Sequence, residues 1–66
     1  MFHSYVEGSG FEPGTYRTVQ TGTREFMCRL CTAPRVYFFG SGYTRREALE
    51  AARCRAAIAE HVEATA

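Results

Sequence analysis

The sequence predicts an α+β fold in which an antiparallel sheet of three or four strands packs on one C-terminal helix. Three observations predict it. Bulky apolar side chains are mostly aromatic and precede the tail: nine Phe and Tyr, against Ile58, Leu30 and Leu49 as the only Ile and Leu. From Thr44 onward the chain contains no Gly or Pro and is rich in Ala. Between these regions, Gly, Pro and Thr clusters cut the chain into short β-prone runs. Large rings on a sheet facing small Ala on a helix is a consistent packing scheme, because the helix can then sit close to the strands.

Residues 2–7 (FHSYVE) alternate weakly and read as a short edge strand. Residues 8–14 (GSGFEPG) hold three Gly and a Pro and read as a loop. Residues 15–20 are β-prone, and the Thr-Gly-Thr that follows reads as a hairpin turn. Residues 24–31 contain EFMCRLC, which alternates Phe26, Cys28 and Leu30 with Met27, Arg29 and Cys31. Pro34 interrupts, residues 35–39 (RVYFF) form the last strand, and GSG at 40–42 ends it. The helix, at about 44–63, opens on Thr44 with Glu47 three residues later, a capping-box pattern. At about 100° per residue, Ala48, Ala51, Ala52, Ile58, Ala59 and Val62 share one broad stripe, with Arg55 inside it.

A chain of 66 residues makes one domain. It buries only about 60% of the surface its unfolded form exposes, so a deep catalytic cleft would remove core that it needs. A non-catalytic binding module is expected. No Asp occurs and the two His lie near opposite ends, so no base–nucleophile set is visible. Net charge is +1, yet every cation is Arg and every anion Glu. Arg suits bidentate and stacking contacts. Arg and Ala in preference to Lys and Ile also mark a GC-rich genome, and so a bacterium or its phage. The first ten residues show no basic, apolar leader pattern, no run is long enough to span a membrane, and three Cys is an odd number. A reducing cytoplasm, without cofactor, is the expected setting.

Alternation assigns the faces. With Phe26, Cys28, Leu30, Val36 and Phe38 towards the helix, the opposite face carries Arg17, Val19, Met27, Arg29, Arg35, Tyr37 and Phe39. One helix leaves that face bare, and bare Arg mixed with rings makes a docking surface. It would read a nucleic-acid groove or stack bases, occupy a partner protein, or bury itself in a sheet-to-sheet homodimer. Cys28 and Cys31, with Cys54 and His61, invite a zinc reading. Residues three apart on a strand diverge, however, and positions 54 and 61 lie about 10 Å apart along a helix. No metal is expected, and Cys28 reads as a small buried apolar residue.

Tyr16-Arg17, EFMCRLC, RVYFFG and TRREALEAARCRAA occur in an order that resembles the three-stranded DNA-binding domain of plant ethylene-response factors and of phage integrase arm-binding domains. In that family the exposed sheet face enters the major groove. The resemblance implies groove contacts from Arg17, Arg29, Arg35 and Tyr37. The tail GSGYTRREALEAARCRAAIAEHV is similar to the last part of double-stranded-RNA-binding domains, which implies phosphate contacts from Arg45 and Arg46; that family's first helix has no counterpart here. The leading expectation is a small nucleic-acid-binding accessory protein using Arg17, Arg29, Arg35, Tyr37, Phe39, Arg45 and Arg46. The alternative is a small phage or mobile-element inhibitor, of the anti-CRISPR kind, that blocks a host protein.

Overall fold

The computed structural model describes residues 4–65. Its elements are β1 (Val6–Glu7), β2 (Thr15–Gly22), β3 (Glu25–Ala33), β4 (Val36–Gly42) and α1 (Arg45–Thr65). They form one four-stranded sheet in the order β1-β2-β3-β4, covered on one side by α1. The α+β class and the single C-terminal helix follow the sequence. The sheet is mixed, because β1 runs parallel to β2, while β2, β3 and β4 form the expected antiparallel meander.

β3 pairs along its length with both β2 and β4 and supplies Cys28 and Leu30 to the core. Cys28 and Leu30 are fully buried against Ala48, Ala52 and Ala56, and Tyr5, Tyr16, Phe26, Phe38 and Leu49 pack around that cluster. The β2–β3 turn falls at Thr23-Arg24, between paired Gly22 and Glu25, two residues later than the Thr-Gly-Thr pattern suggests. A register shift after Gln20 absorbs the difference, and the Gln20 amide donates to the Gly22 carbonyl at 2.9 Å. The faces of β2 and β3 therefore remain as alternation assigns them, whereas Val36, expected inward, is 42% exposed beside the register shift between Cys31 and Ala33.

β4 runs on through Gly40–Gly42 instead of stopping before them. Glycine here serves the helix. A Cβ on Gly40 would lie 2.5 Å from the Ala48 carbonyl oxygen and collide with Ala52, and one on Gly42 would lie 2.5 Å from Glu47 Cβ. Stepping back along β4 thus steps forward along α1, so helix and strand run antiparallel in direct backbone contact. Thr44 caps the helix, its Oγ1 accepting the Glu47 N–H at 3.1 Å. The buried stripe is narrower than the sequence pattern implies: Ala48, Ala52 and Ala56 face the sheet, whereas Ile58 is 64% exposed and Val62 also faces outward. Ile58 lies about 120° around the helix from Ala52, which places it on a flank. Arg55 occupies the same flank and is no flaw in the core.

The first strand is the main departure from expectation. Of the span 2–7, positions 2 and 3 lie outside the described residues, and only Val6–Glu7 pair, opposite Thr15 and Tyr16. Residues 8–14 connect these parallel strands, where such connections ordinarily need a dozen residues or more. The left-handed backbone of Gly10 (φ 78°) and Gly14 (φ 85°) makes the short crossover possible. With α1 on one side of the sheet, the crossover runs over the other.

Candidate binding surface

Pairing arranges the outer face in three cross-strand rows: Thr15–Cys31–Tyr37, Arg17–Arg29–Phe39 and Val19–Met27–Ser41. The 8–14 crossover roofs the first row and reaches the second. Phe11 meets Tyr37 edge to face at 5.9 Å between ring centroids. The Cys31 thiol lies 3.3 Å from the Phe11 carbonyl and 3.2 Å from that of Ala33, and Cys31 is fully buried. The Gly14 N–H donates to the Cys31 carbonyl at 2.9 Å. Part of the face expected to be bare is therefore covered by this chain itself.

Arg29 is the residue most affected. Its guanidinium lies 3.7 Å from the centre of the Phe11 ring, and Nη2 donates to the Ser9 carbonyl at 2.7 Å. Its Nε is buried, without a hydrogen-bond acceptor among the described residues. Stacked and bonded in this way, Arg29 holds the crossover down, and a groove contact would compete with those interactions. Tyr37 is likewise half-buried. Positions 29 and 37, expected to lie on a bare face, are partly covered: Phe11, an apolar residue inside a Gly-rich loop, packs on both side chains.

The other expected contact residues separate. Arg17 and Phe39 lie on the open face, as alternation predicts. Arg35 lies in the two-residue turn between paired Ala33 and Val36, in the left-handed region at φ 64°, so it projects from the tip of the sheet. Arg45 folds onto the edge of β2, with Nη1 donating to the carbonyl and hydroxyl oxygens of Thr18, each at 3.0 Å, and with its guanidinium 5.2 Å from the Phe26 ring. Its implied phosphate contact competes with those bonds. Arg46 is exposed on the helix. The seven residues thus do not make one patch; Arg17 and Phe39 share the face, and Arg35 and Arg46 stand apart.

What remains open is an apolar depression of about 150 Å³ lined by Arg17, Val19, Met27, Cys28, Arg29 and Phe39. Val19, Met27 and Phe39 are 44%, 39% and 50% exposed. No family model, curated protein or solved structure matches this chain. The reading of the surface therefore rests on its own geometry.

The thiols do not converge. Cys28 is buried under the helix, Cys31 under the crossover on the opposite face, and Cys54 is exposed. Among the described residues no group of His, Cys or Glu is arranged to hold a metal ion. Burial pushes the Cys28 thiol up to about 11, so it stays protonated in ordinary buffers. The Tyr5 hydroxyl is also shifted upward, first by burial and then by Glu60, with Arg53 opposing. Among the described residues no helix is long and apolar enough to cross a membrane.

Proposed function

We propose that this chain is a non-catalytic docking module that engages a protein surface through the open half of its outer sheet face. The observation that carries this reading is the composition of that half: Val19, Met27 and Phe39 are exposed together, Arg17 stands at their edge, and Arg29, which also lines the depression, is tied to Ser9 and Phe11. A flexible Met and an exposed ring around a shallow depression accept an apolar side chain, and Arg17 adds a bidentate donor for a carboxylate. The matching partner presents an apolar residue beside an acidic one. Blocking a host protein, as a small phage or mobile-element inhibitor does, is one form of this activity.

A nucleic-acid reading has one observation in its favour, the exposure of Arg17, Arg24, Arg35 and Arg46. It is the weaker reading, because Arg29 and Arg45 are engaged within the chain and net charge is only +1. Affinity capture from nuclease-treated lysate, followed by rebinding of the purified partner, separates the two. Docking predicts a 1:1 complex that survives moderate salt and is lost with Val19→Lys or Met27→Lys. A gel shift with duplex or single-stranded nucleic acid that falls steeply with salt, is weakened by Arg17→Ala and Arg46→Ala and is indifferent to Val19→Lys would overturn the docking reading.

A further inference from the structure

A second surface lies at the β4 edge of the sheet, next to the outer face with which it shares Phe39. β4 is the end strand of the sheet; among the described residues no strand lies beyond it. Proteins usually protect such edges with charges, prolines or very short strands. β4 has none of these: its seven residues, VYFFGSG, contain no charged group and no Pro. Its outward N–H and C=O groups form a template for strand pairing.

The helix flank above that edge mixes exposed apolar groups with one charge of each sign. Tyr5, which precedes β1, approaches Arg53 and Glu60, and Arg45 reaches Thr18 of β2. Those contacts fix which side of α1 faces β1 and β2. At about 100° per residue the opposite flank carries Thr44, Glu47, Ala51, Arg55 and Ile58. Ile58 is 64% exposed there, and Tyr43, just before the helix, is 74% exposed.

We infer that β4 pairs antiparallel with β4 of a second copy, giving a continuous eight-stranded sheet with both helices on one face. Geometry supports a second copy as the occupant. The helix packs on Gly40 of β4 and on Cys28 and Leu30 of β3, so it follows the line between those strands. With strands about 4.8 Å apart, that line lies about 5 Å from the two-fold axis. The two helices then run about 10 Å apart, an ordinary helix–helix distance, with the small Ala51 at the closest approach. Centring the pair on Phe39, the middle of β4, brings Arg55 opposite the partner's Glu47 and Ile58 opposite the segment that begins at the partner's Tyr43. Opposite charges and exposed apolar groups meet, and no like charges face each other along the strand.

Sedimentation equilibrium of the full chain, over concentrations up to about 100 µM, tests this. The wild type should show a concentration-dependent mass approaching twice 7.4 kDa. Ile58→Glu, at an exposed position, should weaken association at least about tenfold with an unchanged circular dichroism spectrum. Val19→Lys, on the outer face, should leave the dimer intact. A monomer throughout the concentration range overturns the inference. So does a dimer that Val19→Lys dissociates and Ile58→Glu does not, because that pattern belongs to sheet-to-sheet packing.

Discussion

Adding a single methyl group at Gly40 should cost this protein a large share of its stability. A Cβ there would lie 2.5 Å from the Ala48 carbonyl oxygen and 2.8 Å from the Ala51 carbonyl carbon, so the helix must move outward by about 1 Å to restore van der Waals separation. Those atoms are helix backbone, and no side-chain rotation relieves the clash. Overpacking of this kind costs about 3 kcal/mol, since Ala48, Ala52 and Ala56 lift off Cys28 and Leu30 together. Replacing Gly offsets about 0.5–1 kcal/mol by restricting the unfolded chain. The net loss is about 2 kcal/mol, from a total of about 3–10 kcal/mol for a chain of this length. In a domain this small that lowers Tm by about 10 °C. Urea titration and thermal melting followed by circular dichroism measure both quantities. Gly22→Ala is the control: its Cβ would sit 3.3 Å from Glu25 Cβ at an exposed turn and should be nearly neutral. A loss below about 0.5 kcal/mol for Gly40→Ala would refute the argument that the helix lies in backbone contact with β4.

Three further outcomes follow from the same structure. Arg29→Met removes the donor to Ser9 and the cation over Phe11, so the amide of Gly14 should exchange faster by about tenfold or more, with Leu30 unchanged; equal acceleration at both sites would mean global unfolding instead. Because the folded Cys28 thiol ionises only near 11 and an unfolded one near 9.0, the unfolded state loses its proton first. Stability should therefore be full below pH 9.0 and decline as pH rises towards 11; Cys28→Ala, at the cost of a small cavity, should reduce that decline to the part that the upward-shifted Tyr5 hydroxyl contributes above pH 10.0. Arg35→Gly relieves a left-handed conformation worth about 1–2 kcal/mol and gives back about 0.4–1 kcal/mol of unfolded-state entropy, so denaturant midpoints should rise slightly; a fall would show that the Arg35 side chain contributes more than its backbone costs.

Much of the architecture is legible in the sequence for reasons that are local. EFMCRLC alternates cleanly, TRREALEAARC carries its own cap and high helix propensity, and one layer of rings needs small residues opposite. The face assignment of Arg17, Met27, Tyr37 and Phe39 follows from the same period of two. Non-local events were harder to read. Nothing in FHSYVE tells whether it joins parallel or antiparallel, yet that choice sends residues 8–14 across the outer face and places Phe11 over Arg29. GSG at 40–42 carries the ordinary signature of a turn, because glycine selected for close approach looks identical to glycine selected for conformational freedom. Arg45 reaching Thr18, 27 residues away, has no sequence signature at all. An aromatic residue stranded in a Gly-rich loop was the one available clue to the cover.

The parallel first strand also decides which pole of the molecule β1 shares with the later turns of α1. β1 enters beside Thr15, at the end of the sheet where Cys31 pairs with Tyr37 and where the Pro34-Arg35 turn lies. α1 runs back over β4 towards that same end, and Tyr5 meets it near Arg53 and Glu60. Val6–Glu7 and the later turns of α1 therefore lie at one pole, with the Thr23-Arg24 hairpin and Tyr43 at the other. A short insertion at the exposed Thr23-Arg24 turn should leave every buried contact of the sheet and helix in place.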